Sequence, residues 1–259
     1  MKNMNEIKKD TEINAQESSE NIASLDSKQK NCTSISGRIP TGSEVLDKLL
    51  KGGFEKETIS TIYGPSGCGK TNFCLISAVE MVKTGKKVIF VDSEGGFSIE
   101  RLKQITGDCK ETLNGIILLK PTRFDEQKRA FQKIKQLITD DIGIIIVDTI
   151  SMLYRLELGK NEEIYNINRE LGLQISQLTE ICRKQKIPVL VTTQVYANFE
   201  EKDQVKIVGG DILKYGSKCL IELRKLRGSR VAILKKHRSI KEGEEIKFRI
   251  ENEGVFEND

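Results

Sequence analysis

The chain has 259 residues, of which 37% are apolar and 31% charged, and its formal net charge is +4. This length suits one substantial domain, and no apolar run approaches the roughly 20 residues that a membrane-spanning helix needs. The first ten residues are polar and lack the apolar core of a signal peptide, so we expect a cytoplasmic protein with no membrane partner.

The N-terminal segment differs in composition from the rest of the chain. Residues 1–36 contain no aromatic side chain and consist mainly of Lys, Glu, Asn, Ser and Asp. Such a segment buries too little apolar area to offset the entropy lost on ordering, so it predicts a disordered polar tail. We expect one folded domain over residues 37–259.

Beyond the tail, short apolar runs alternate with amphipathic segments, a pattern typical of a parallel α/β sheet. Helices are predicted at 43–50, 71–82, 125–139 and 164–184. Strands are predicted at 58–63, 88–92, 115–119, 143–148 and 187–193. The alternation then stops, and further strands are predicted at 218–223, 230–235 and 245–251. The predicted fold is therefore α/β, with a mostly parallel central sheet flanked by helices and antiparallel C-terminal strands.

A glycine-rich segment joins the first long strand to the helix that follows it. The pattern G-x-x-x-x-G-K-[ST] is matched by Gly64, Pro65, Ser66, Gly67, Cys68, Gly69, Lys70 and Thr71. Its glycines let successive N–H groups face inward and form an anion-binding nest at the helix N-terminus. Lys70 is then expected to reach the β- and γ-phosphates, and Thr71 to coordinate magnesium. The segment predicts a site for ATP with Mg²⁺.

Two acidic residues at predicted strand ends complement this phosphate loop. Asp148 ends the most apolar strand, and a carboxylate at the C-terminal edge of an interior strand faces the ligand crevice, so we expect a second magnesium ligand there. Thr149 follows it, so the acid pair common in helicases is missing and hydrolysis needs a water-positioning group elsewhere. Glu94 would supply that group if strand 88–92 neighbours the strand that carries the phosphate loop.

The chain resembles the RecA/RadA recombinase superfamily over about residues 36–256. Besides the phosphate loop, the resemblance rests on IPTGSEVLD at 39–47, the glycines at 52–53, VDSEG at 91–95, ERL at 100–102, VDT at 147–149, TQV at 193–195 and VGG at 208–210. It implies a RecA-like P-loop NTPase core in which Glu94 is the catalytic glutamate. It also implies that Gln194 contacts the γ-phosphate and signals its presence to a DNA-binding loop at 195–209. Lys70, Glu94 and Gln194 are thus the expected catalytic residues.

Two features of the chain differ from the strand-exchange recombinases of this superfamily. Strand-exchange recombinases of the superfamily carry a helical DNA-binding domain and a Phe-x-x-Ala motif before the core, whereas the polar tail has no Phe. Their acidic, proline-containing nucleotide cap is replaced by KKHRS at 235–239. A short core with this stretch resembles RadB, the archaeal paralogues of the recombinases. That resemblance implies DNA binding, weak ATP hydrolysis little affected by DNA, and an accessory role in recombinational repair without strand exchange.

Charge distribution suggests where DNA binds. The segments 151–170 and 195–210 each carry a net charge of −1, whereas 214–241 has ten Lys or Arg and one Glu, so the rest of the chain sums to −5. Because nucleic-acid phosphates attract basic surfaces, we favour this basic block, although a solvated face is the plainer explanation of such a run. The residues predicted to bind DNA are Arg224, Lys225, Arg227, Arg230, Lys235, Lys236 and Arg238.

Two other functions stay open at this point. One is a full strand-exchange recombinase that lacks its helical domain, and the other is a KaiC-like signalling ATPase that shares the core but does not bind DNA. The missing helical domain argues against the first, and the single core with its Lys-His-Arg-Ser stretch argues against the second. DNA is the expected partner, and other recombination and repair proteins and a second copy of the chain are considered as further partners.

Overall fold

The computed structural model describes residues 37–159, 164–196 and 206–258. The predicted polar tail lies outside the described residues, as does most of the predicted DNA-binding loop. Within the described parts of the chain, no helix is both long and apolar enough to cross a membrane.

Helices pack on both faces of one large sheet. The helices are α1 (Glu44–Leu49), α2 (Lys70–Lys83), α3 (Ile99–Thr106), α4 (Lys110–Asn114), α5 (Phe124–Leu137), α6 (Ser151–Leu158), α7 (Ile164–Gln185) and α8 (Gly210–Gly216). A small antiparallel pair is formed by β1 (Arg38–Ile39) and β2 (Phe54–Glu55). The strands of the large sheet are β3 (Ile59–Tyr63), β4 (Lys87–Asp92), β5 (Ile116–Leu119), β6 (Ile142–Asp148), β7 (Val189–Thr193), β8 (Cys219–Lys225), β9 (Arg230–Lys236), β10 (Glu245–Glu251) and β11 (Gly254–Glu257).

Among the described residues, the large sheet has nine strands in the order β11–β10–β9–β8–β3–β7–β6–β4–β5. Strands β8, β3, β7, β6, β4 and β5 run parallel to one another, and β9, β10 and β11 continue the sheet in antiparallel fashion. This arrangement confirms the predicted fold. One sequence-based premise was wrong: β4 does not neighbour β3, because β7 and β6 lie between them.

Every residue of β6 is buried, which fits a strand covered on both faces. One apolar core lies between the sheet and helices α1 to α4, and a second lies on the opposite face under α5 to α8. Helix α2 is buried almost all round because the C-terminal strands also cover it, and Phe73 packs edge-on against Phe248 with ring centroids 5.3 Å apart. The phosphate loop therefore leads into a helix that is held from two sides.

Candidate functional site

The glycine-rich segment connects β3 to α2 in a conformation that needs glycine. Gly67 and Gly69 have φ values of 70° and 110°, in the left-handed region that side chains disfavour. A methyl group added at Gly69 would also lie 2.9 Å from Cδ1 of Ile250 on β10. The sequence pattern is thus explained by backbone conformation and by close packing of the loop against the sheet.

The ammonium group of Lys70 lies within the curve of this loop. It is buried, and it donates hydrogen bonds of 3.0 Å to the carbonyl oxygens of both Gly64 and Pro65. Cys68 lies beside it, and burial raises the pKa of the Cys68 thiol, while the positive charge of Lys70 acts in the opposite direction. The loop therefore holds the ammonium group of Lys70 in place beside the N-terminus of α2.

Asp148, at the end of β6, meets the first turn of α2. Its carboxylate is fully buried, and it accepts hydrogen bonds from the hydroxyls of Thr71 at 2.7 Å and Thr192 at 2.5 Å. Burial raises the pKa of Asp148, and the nearby negative charges of Glu94 and Asp92 act in the same direction, while the two threonine hydrogen bonds oppose them. The structure brings the two predicted magnesium ligands, Thr71 and Asp148, into direct contact.

The donor atoms at this point suit a magnesium ion. Hydroxyl and carboxylate oxygens are the ligands that Mg²⁺ prefers, and the negative environment of Asp148 favours a cation. A methyl group added at Gly96 would lie 3.1 Å from the Thr71 hydroxyl oxygen and 3.5 Å from Oδ2 of Asp148. The glycine therefore preserves space beside both oxygens.

The turn after β4 brings Glu94 to the site although two strands, β7 and β6, lie between β4 and β3. Asp92 fixes this turn by accepting hydrogen bonds from the N–H groups of Gly95, Gly96 and Phe97. Glu94 then accepts a 2.9 Å hydrogen bond from the side-chain amide of Gln194. Sequence reasoning missed the role of Asp92, which could have been suspected because it ends a buried strand as Asp148 does.

Gln194 also connects the site to the segment that follows β7. Its backbone N–H donates to the Ser151 hydroxyl at 3.1 Å, and its carbonyl accepts a 2.9 Å hydrogen bond from the N–H of Val208. The N–H of Tyr196 donates to the carbonyl of Lys206 at 2.9 Å. The base of the predicted DNA-binding loop is thus an antiparallel pair that begins at the residue in contact with Glu94.

The seven predicted DNA-binding residues do not form one surface. Arg224, Lys225, Arg227 and Arg230 lie around the β8–β9 turn, and Lys235, Lys236 and Arg238 lie at the other end of β9. Only the four residues at 231–234 lie between the two groups, so Arg230 and Lys235 are roughly 17 Å apart along the strand. The basic block at 214–241, which the charge distribution favoured for DNA, is thus divided between the two ends of β9.

Several of these cations have partners within the chain. Arg224 forms a 2.6 Å ion pair with the buried carboxylate of Glu222, and Lys236 donates to the carbonyls of Lys214 and Ser217 at the end of α8. Arg238 is paired with Glu55 on β2. By contrast, Arg227 is exposed at the tip of the β8–β9 turn.

This arrangement of a loop, a helix N-terminus and two strand-end carboxylates on a mostly parallel sheet is that of a RecA-like P-loop NTPase fold. The chain belongs to the Rad51 family, whose family model matches residues 33–258.

Several relatives within the family are named RadB. The chain is 44% identical over 213 residues to the DNA repair and recombination protein RadB of Methanococcus maripaludis, a match that covers 82% of this chain and 97% of that protein. It is 43% identical over 227 residues to RadB of Methanobrevibacter smithii, covering 85% and 95%. A crystal structure of the RadB recombinase superposes with a TM-score of 0.71 at 36% identity, covering 83% of this chain and 97% of that one. The resemblance to RadB that the sequence predicted is confirmed.

Proposed function

We propose that this protein binds ATP and DNA as an accessory factor of homologous recombination and DNA repair, with weak Mg-dependent ATPase activity and no strand exchange. The observation that carries the proposal is the 2.7 Å contact between Thr71, at the end of the phosphate loop, and Asp148, at the end of β6. This contact would unite the anion-binding and cation-binding halves of a nucleotide site. The names and coverage of the RadB relatives support the repair role.

Each residue of the site has a part in holding the nucleotide. The loop N–H groups would bind the phosphates, and Lys70 would exchange its bonds to Gly64 and Pro65 for phosphate oxygens. Thr71 and Asp148 would hold magnesium, which when bound supplies charge neutralisation at the phosphate oxygens. We infer that the expected cofactors, ATP and Mg²⁺, bind at these residues.

Hydrolysis would depend on Glu94. Its Oε1 atom accepts the hydrogen bond from Gln194, so Oε2 is the oxygen that would orient a water molecule and take its proton. A phosphate that attracts the Gln194 amide would alter this hydrogen bond. Because Gln194 also begins the antiparallel pair at Val195 and Ile207, such a change would reach the predicted DNA-binding loop.

Two measurements distinguish the accessory role from a full strand-exchange recombinase and from a signalling ATPase. DNA affinity should be measured by fluorescence anisotropy with and without MgATP, and joint-molecule formation should be measured with homologous single- and double-stranded DNA. We expect DNA binding, slow ATP turnover that DNA changes little, and no joint molecules. Joint molecules would indicate a full recombinase, and ATP turnover without DNA binding would indicate a signalling ATPase. The proposed place of action is the cytoplasm, with other repair proteins and a second copy of the chain as further partners.

A further inference from the structure

The β8–β9 turn lies directly against the phosphate loop. Strand β8 runs parallel to β3, so both end at the same edge of the sheet. A methyl group added at Gly64, the first residue of the loop, would lie 2.3 Å from the carbonyl oxygen of Leu223 on β8. The basic residues that follow Leu223 are thus brought to the loop by the register of the two strands.

Arg230, the first residue of β9, contacts the middle of the loop. Its Nε and one terminal guanidinium nitrogen donate long hydrogen bonds of 3.4 and 3.5 Å to the carbonyl oxygen of Gly67. In a trans peptide the C=O of one residue and the N–H of the next point in opposite directions. Holding the Gly67 carbonyl outward therefore directs the N–H of Cys68 towards the inside of the loop, where an anion would bind.

The ammonium group of Lys225, the last residue of β8, also lies beside Gly67. A methyl group added at Gly67 would lie 3.0 Å from its ammonium nitrogen. The ammonium also acts on the loop electrostatically, because its positive charge works with that of Lys70 against the effect of burial on the pKa of the Cys68 thiol. Two cations from outside the sequence motif thus converge on one glycine of the phosphate loop.

We propose that Lys225 and Arg230 form part of the polyphosphate site, where Arg230 positions the Gly67–Cys68 peptide and Lys225 adds positive charge at the mouth of the loop. This inference rests on the proposed nucleotide binding. It reassigns two residues that the sequence suggested for DNA, because both side chains face the phosphate loop. The ligand class is a nucleoside polyphosphate.

The test is calorimetric titration of the full chain with a non-hydrolysable ATP analogue and Mg²⁺. We expect Lys225→Met and Arg230→Met each to weaken analogue binding about tenfold, as the loss of a charge-assisted contact does. Arg230→Lys, which keeps the cation, should recover most of the affinity. Lys247→Met is the matched control, because it removes one exposed cation from β10 of the same sheet.

A melting curve without nucleotide separates positioning from a structural role. The inference predicts unchanged melting temperatures without the analogue and a smaller stabilisation when it is added. It is overturned if both methionine variants bind the analogue as Lys247→Met does, or if Arg230→Met lowers DNA affinity alone. A wild-type chain that fails to bind the analogue would contradict the proposed function instead.

Discussion

Asp148 shows how far the contacts of a site residue can be predicted from its position in the sequence. Its place at the end of an apolar run predicted a residue at the ligand edge of the sheet, and the structure brings it to Thr71. Its second partner, Thr192, lies within the buried strand β7 and carried no such signal. Side chains that serve a site from within an apolar strand cannot be distinguished from packing residues by sequence pattern.

A prediction about a single residue concerns the carboxylate of Glu94. Glu94→Gln preserves the shape of the side chain and its contact with Gln194 but removes the carboxylate. We expect analogue affinity within about twofold of the wild type and ATP turnover reduced about a hundredfold, the usual contribution of a positioned base. The ATP turnover is measured as phosphate release by highly purified protein. Unchanged turnover would mean that another group orients the water.

Secondary structure elements were predictable where their periodicity was long. The predicted helix at 71–82 is one residue shorter than α2 at each end. The predicted strand at 143–148 begins one residue later than β6 and ends at the same residue. The short helices α3, α4, α6 and α8 were missed, because five to eight residues give little periodicity, although α1, which has six, was predicted. The order of the strands was also beyond reach, since contacts between distant segments decide whether β4 lies next to β3.

The N-terminus of α5 provides a stability prediction. The backbone N–H of Thr122 and its hydroxyl donate to Glu126, and these bonds, with a further one from Arg123, lower the pKa of Glu126 to about 2. Because this value lies below the usual 4.5, the stabilisation is fully present above pH 4.5 and is lost as pH falls towards 2.

Glu126→Gln should therefore lower the urea midpoint at pH 7, and the difference from the wild type should shrink as the pH is reduced towards 3. Equal midpoints at pH 7 would show that the helix end is not stabilised by this carboxylate. A difference that stays constant with pH would assign the effect to shape and not to charge.

At the scale of the whole molecule, the basic block at 214–241 is divided between the two ends of β9. A count of charges along the chain does not show how the charges are arranged in space. Strand β9 places residues 224–230 at one of its ends and residues 235–238 at the other. Neutralising Arg224, Lys225 and Arg227 together would therefore remove a partner of buried Glu222 and a neighbour of the phosphate loop as well as surface charge. A single exposed residue makes a cleaner test.

For DNA, we expect Arg227→Gln to weaken binding and to lower the slope of log affinity against log salt by about one unit. Arg238→Gln should leave the slope unchanged, because Arg238 is already paired with Glu55. Neutralising Lys202 and Lys206 should do less than Arg227→Gln, since their segment is net acidic. The opposite ranking would assign DNA binding to the loop after Gln194.

The central claim is that the loop from Gly64 to Thr71, together with Asp148, binds magnesium and ATP. Calorimetric titration of the wild type, Lys70→Ala and Thr71→Ala with a non-hydrolysable analogue and Mg²⁺ tests it most directly. We predict that each substitution weakens binding by about a hundredfold or more, because each removes a charge-assisted contact to phosphate or metal, while the melting temperature without nucleotide changes little. Wild-type affinity in Lys70→Ala would contradict the account.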